Sequence, residues 1–146
     1  YDPREKGHFV HHGTFNNNVL TLAGGAAGLE KVYTPEAATA LTASGEAFRQ
    51  RLNALGQKHG LPFQAAGSGS LMNIHFIAGD IRSHHDLAGR NLTALDLFHL
   101  EMIAAGIYIT RRGYMALSLA LTEDDHDVFV AEADKFLSAY GELISA

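Results

Sequence analysis

Gln64-Ala65-Ala66-Gly67-Ser68-Gly69-Ser70-Leu71-Met72-Asn73-Ile74-His75-Phe76-Ile77 reads as two strands, Gln64–Ala66 and Leu71–Ile77, around a Gly67–Ser70 turn. Alternating glycine and serine break two apolar runs and supply turn chemistry. Side chains alternate across a strand, so Met72, Ile74 and Phe76 share one face, while Leu71, Asn73, His75 and Ile77 share the other. The first set is wholly apolar and marks the core side. So short a link makes the two strands antiparallel neighbours.

Helical patterns flank this hairpin. Thr34-Pro35-Glu36 is a helix start: a hydroxyl cap, proline at the first helical position and acid in the first turn. The helix that follows carries Leu41, Phe48, Leu52 and Leu55 on one stripe with Gly45 in the same row, and Gly60 and Pro62 end it. After a polar loop over residues 79–90, Leu92, Leu95, Phe98, Met102 and Ile103 fall at helical spacing, and Gly106 stops that helix. Ile107–Ile109 and Met115–Leu119 read as two further strands around Thr110-Arg111-Arg112-Gly113. Thr122-Glu123-Asp124-Asp125 opens a last helix that buries Phe129, Ala133, Phe136, Tyr140 and Leu143. Helix, helix, strand, strand, helix, strand, strand, helix is an α+β order: a small antiparallel sheet covered by helices.

Composition bounds the function. The chain has 146 residues, 47% hydrophobic and 18% charged, enough apolar matter to fill a core. A formal net charge of −5 excludes a nucleic-acid backbone as partner, since phosphate tracking needs clustered cations. No apolar run reaches the roughly 20 residues that span a bilayer. The polar start carries no signal-like pattern and no initiator Met, so the expectation is a cytoplasmic protein whose chain begins inside a larger one. With no cysteine, thiolate catalysis, disulfides and cysteine-ligated metals are excluded.

A second stretch carries the chemistry. His11-His12-Gly13-Thr14-Phe15-Asn16-Asn17-Asn18 runs into Val19-Leu20-Thr21-Leu22-Ala23-Gly24-Gly25-Ala26-Ala27-Gly28, a helix of small residues expected from about Asn18 to Glu30. Free N–H groups at such a start favour an anion, and Thr14 can add a hydroxyl; the simpler alternative is an asparagine cap at 16, 17 or 18. Glycines at 24, 25 and 28 each cost roughly 1 kcal/mol in a helix, which implies close approach to another surface. Arg112 precedes Gly113 in the second strand connection, where a guanidinium fork suits a carboxylate; Arg111 is the alternative in register, and a solvated loop arginine is the plain reading of either. Neither the histidines at 8, 11 and 12 nor His84-His85 has a metal-binding spacing, and His75 and His99 read as satisfied, partly buried histidines.

The segment His11–Asn18 with its small-residue helix resembles class III pyridoxal 5'-phosphate (PLP)-dependent aminotransferases, of fold type I. Within them it is similar to the branch holding glutamate-1-semialdehyde aminomutases and β-amino-acid (β-phenylalanine type) aminotransferases. The likeness continues through Tyr33–Ala38, Gly45–Asn53, Gly67–Phe76 and Arg112-Gly113-Tyr114. His12 departs from the small residue usual between His11 and Gly13. The resemblance implies that residues 1–32 end a PLP-binding large domain and that 33–146 form the C-terminal small domain. It implies that Gly13 and Thr14 contact the PLP phosphate across a homodimer interface, and that Arg112 recognises a substrate carboxylate. The parent enzyme would exchange an amino group between an amino acid and a keto acid. Only Lys6, Lys31, Lys58 and Lys135 occur, none in the context of the lysine that holds PLP as a Schiff base. That lysine is expected upstream, so the piece by itself is expected to be inactive. The rivals are glutamate-1-semialdehyde 2,1-aminomutase and, from another class, a non-catalytic α+β dimerisation or binding module.

Overall fold

A computed structural model describes residues 2, 4–9, 13–14 and 18–145. It divides into two compact units, Tyr1–Ala38 and Thr39–Ala146.

The first unit contains α1 (Val19–Lys31). Asn18 is its N-cap, with Oδ1 accepting the Thr21 N–H at 3.0 Å. Asn16 and Asn17 lie outside the described residues. At the other end the N–H groups of Val32 and Tyr33 both donate to Gly28 O, at 3.1 and 2.8 Å. These caps close a helix that buries none of its residues in this chain. A Cβ added at Gly24, Gly25 or Gly28 would meet nothing within 4 Å. The close approach that the glycines imply is therefore not made to any described residue. Thr34 caps the next helix as expected, its Oγ1 accepting from Ala37 N–H at 3.2 Å.

In the second unit, α2 (Pro35–His59) buries Phe48, Leu52 and Leu55. Its glycines are matched to the hairpin. A Cβ at Gly45 would lie 2.3 Å from Gly69 O, and one at Gly56 would lie 2.0 Å from Phe63 O. Gly60, at φ +64, ends the helix. Leu61 N–H bonds back to Gly56 O and Gly60 N–H to Gln57 O, the paired closure that a left-handed glycine permits.

Strands β1 (Phe63–Ser68), β2 (Leu71–Phe76) and β3 (Tyr114–Ala116) form one antiparallel sheet in the order β1-β2-β3. Ser68 pairs with Leu71, so the turn is Gly69-Ser70 alone; Gly67 and Ser68 belong to the strand. The expected core face is correct: Met72, Ile74 and Phe76 are fully buried, whereas Leu71 is half exposed. Helices α3 (Leu92–Ala104) and α4 (Glu123–Ser145) complete the core. Phe76, Phe98 and Phe136 meet at centroid distances of 5.0–6.0 Å, with Phe63 against the first two. Each fully buried ring or aliphatic side chain contributes about 1.5–3 kcal/mol.

Three expectations need correction. Ile107–Ile109 is not a strand, and its Ile109 carbonyl accepts from His99 Nδ1 at 3.0 Å. The paired part of 115–119 stops at Ala116. Finally, Leu143, expected in the core, is half exposed. α4 kinks at Tyr140 (φ −116, ψ 15), and Ile144, which continues the 3–4 spacing of Ala133, Phe136, Leu137 and Tyr140, is buried in its last turn. Among the described residues no helix is long and apolar enough to cross a membrane.

Candidate functional site

Gly13 and Thr14 are exposed, just before the capped start of α1. Thr14 makes no hydrogen bond to a described residue. The Asn18 cap satisfies Thr21 N–H, so the plain capping explanation accounts for Asn18 but not for Thr14. His11 and His12 lie outside the described residues.

All four lysines are exposed. Lys58 pairs with Asp134 at 2.8 Å and Lys135 with Glu132 at 2.6 Å. An amine that acts as nucleophile near neutral pH needs burial or a neighbouring cation to lower its basicity. None of these sites supplies either.

The Thr110–Gly113 turn is built by α3 and its own side chains. Gly106, at φ +83, reverses the chain after α3. The backbone then runs back along that helix. His99 Nδ1 donates to Ile109 O at 3.0 Å. Asp96, one helical turn earlier, accepts a two-pronged bond from Arg111, Nε at 2.8 Å and the terminal nitrogen at 2.6 Å. Thr110 Oγ1 donates to Tyr114 O and accepts from Tyr114 N–H, and Gly113 N–H closes on Thr110 O at 2.8 Å. Gly113 O in turn accepts from Ile74 N–H at 3.0 Å, which fastens the turn to β2. Arg112 is exposed, and its guanidinium has no hydrogen bond or ion pair with any described residue.

The two adjacent arginines thus differ sharply. Arg111 is neutralised by Asp96, whose carboxyl is held below its ordinary range chiefly by that guanidinium. Arg112 remains a free cation. Sequence reasoning missed Asp96 and the tie that Thr110 makes to Tyr114, and it named His99 as satisfied without its partner. The i, i+3 spacing of Asp96 and His99 was the available signal, but it acquires meaning only when the chain folds back on α3.

A cleft of about 560 Å³ opens beside this turn, lined by Phe48, Tyr108, Thr110, Tyr114, Met115 and His126 among others; Arg112 is not among its walls. His126 is buried and stacked on Phe48 with ring centroids 4.6 Å apart, and neither of its ring nitrogens has a hydrogen-bond partner. Of the two histidines expected to be satisfied, His99 is, but the buried His75 leaves Nδ1 unpartnered. Burial, and secondarily the charge of Arg90, lowers the pKa of His75, so its neutral form is favoured. No group of three His, Asp or Glu side chains able to hold a metal ion occurs among the described residues.

Comparison with known proteins adds the lineage. No family model matches the chain. It is 48% identical to the β-phenylalanine transaminase of Variovorax paradoxus over 144 residues, which is 99% of this chain and 33% of that protein. A crystal structure of the β-phenylalanine aminotransferase from that organism superposes with a TM-score of 0.90 over 98% of this chain and 33% of its own length. A glutamate-1-semialdehyde 2,1-aminomutase of Dechloromonas aromatica (strain RCB) is 26% identical over 129 residues, 87% of this chain and 30% of that protein. The chain therefore spans about a third of the length of the curated relatives it matches.

Proposed function

This chain belongs to the class III aminotransferases, and from that premise we propose that it is the C-terminal part of a PLP-dependent enzyme that moves an amino group from a β-amino acid to a keto acid. The observation that carries the reading is the turn at Arg112: one guanidinium free and exposed beside another locked to Asp96. A free guanidinium offers a substrate carboxylate two parallel charge-assisted bonds.

In this reading residues 1–32 end the large domain and 33–146 form the small domain. PLP supplies the electron sink for the substrate's Cα–H or Cβ–H chemistry when bound. The fit of this chain to PLP is confined to its phosphate. Thr14 offers a hydroxyl donor and Gly13 leaves room for the backbone to approach, while no lysine here is buried enough to bind the carbonyl end. Gly13 and Thr14 hold the phosphate of the neighbouring subunit's cofactor, and Arg112 orients the substrate by its carboxylate. The segment alone has no activity, because the covalent anchor belongs to the other two-thirds of the enzyme. The exposed Val19, Leu20, Leu22 and Leu29 of α1 support a homodimer, since an apolar helix with no buried residue of its own fits a subunit or domain contact.

The 48% identity to a β-phenylalanine transaminase, against 26% to an aminomutase, favours intermolecular transfer over exchange within one molecule. The test is the full-length protein with PLP, offered β-phenylalanine and a keto acid. Formation of the β-keto acid and the new amino acid supports the proposal. Isomerisation of glutamate-1-semialdehyde without transamination of β-phenylalanine would assign it to the aminomutases instead.

A further inference from the structure

The turn that presents Arg112 is clipped onto α3 at two points that run antiparallel to the helix: His99 to Ile109 O and Asp96 to Arg111. The intervening Thr110 is tied to Tyr114, and Gly113 is tied to both Thr110 and Ile74. Among the polar side chains of this turn, Arg112 alone has no described partner. Two neighbouring guanidiniums near one carboxylate could exchange places, and a substrate carboxylate would then meet either of two geometries. The fork from Arg111 to Asp96 removes that ambiguity, because a planar guanidinium matched by two bonds has one orientation.

We propose that Asp96 is a positioning and specificity-determining residue: by holding Arg111 against α3 it leaves Arg112 as the single carboxylate receptor and fixes the turn that aims it. His99 is the second point of the same clip. This rests on the reading of Arg112 as a carboxylate receptor. Asp96 touches no substrate in this account and acts only through the turn. Arg111 supports selectivity without binding the substrate, contrary to the plain expectation that a second arginine beside the first would strengthen anion binding.

The experiment uses full-length enzyme with PLP in single turnover with the amino donor alone, so that the acceptor's own carboxylate does not enter. β-Phenylalanine is compared with 1-phenylethylamine, the same amine without the carboxylate. Asp96→Asn is expected to lower the selectivity for β-phenylalanine roughly five- to twentyfold, the scale of a weakened charge-assisted hydrogen-bond pair. The loss should lie in the half-saturating concentration and not in the rate at saturation. Arg111→Gln removes the rival guanidinium together with the fork, so it should lose less selectivity than Asp96→Asn, which leaves Arg111 loose beside Arg112. In an Arg112→Ala background Asp96→Asn should cost no further selectivity. Equal losses on both amines, a loss confined to the saturated rate, a loss in Arg111→Gln as large as in Asp96→Asn, or full additivity with Arg112→Ala would each overturn the role of Asp96. If Arg112→Ala itself reduces both amines alike, the carboxylate reading of Arg112 fails first, and that outcome is distinct from the others.

Discussion

Gly113→Ala should destabilise the fold by about 2–5 kcal/mol, and the structure separates that cost into two parts. Gly113 sits at φ +78, where an L-residue costs about 1–2 kcal/mol. A Cβ there would also lie 2.7 Å from Ile74 O and 2.8 Å from Asn73 Oδ1. The first of these is backbone in the central strand, and the N–H of the same residue is bonded to Gly113 O, so it cannot swing aside. Forcing such an overlap costs about 1–3 kcal/mol. Gly79 isolates the first part: its φ is +87, yet a Cβ there would meet nothing within 4 Å. Gly79→Ala should therefore cost only about 1–2 kcal/mol. Thermal unfolding of the full-length enzyme carrying each change is the assay. The melting temperature of Gly113→Ala is expected to fall about 1.5 to 4 times as far as that of Gly79→Ala. Gly113→Ala should also weaken discrimination of β-phenylalanine from 1-phenylethylamine, because relief of the overlap moves the Arg112 turn off β2. Equal thermal losses at the two glycines would refute the argument that the turn is pressed against the central strand.

Thr14→Ala in the full-length enzyme should weaken PLP binding about ten- to a hundredfold, the scale of one charge-assisted hydrogen bond, while sparing pyridoxal without phosphate; equal weakening of both ligands would remove Thr14 from a phosphate site. Gly24→Ala should raise the helicity of this chain alone, by about 1 kcal/mol of propensity at an open position, as read by far-UV circular dichroism. The same change should lower the melting temperature of the full-length protein, where the helix is proposed to be closely approached; a rise in both settings would reject that contact. Asp134 pairs with Lys58 first and His59 second, which holds its carboxyl below the ordinary 3.8. Its folded value being depressed, the stabilisation is present above that ordinary value and lost as pH falls through the folded one. Urea melts should show Asp134→Asn weaker than the parent at pH 6 and equal to it at strongly acid pH, and a gap that persists there would contradict the assignment.

The hairpin, the core face of β2, the caps at Asn18, Thr34 and Thr122, and the glycine stops at 60 and 106 were all legible in the sequence. Each rests on local chemistry: alternation, a hydroxyl or amide within reach of a free N–H, or a residue able to take positive φ. The family resemblance was likewise carried by ordered words along the chain. Gly13, Thr14 and Arg112 were picked on those words, and their roles remain proposals.

What sequence could not decide was set by contacts between distant residues. Two glycines of α2 proved to be seats for the hairpin at Gly69 and Phe63, while a Cβ at three glycines of α1 would meet nothing among the described residues. Identical residues in identical helices acquire meaning only from what lies opposite. At the end of α4 both Leu143 and Ile144 lie near the apolar stripe, and only the packed structure shows that Ile144 is the buried one. Arg111 and Arg112 are equivalent as neighbours in a chain. Only the fold-back of residues 109–111 onto α3 brings Asp96 to one of them and leaves the other free. Local chemistry is written in adjacent residues; the choice between two adjacent cations depends on a carboxylate fifteen positions away.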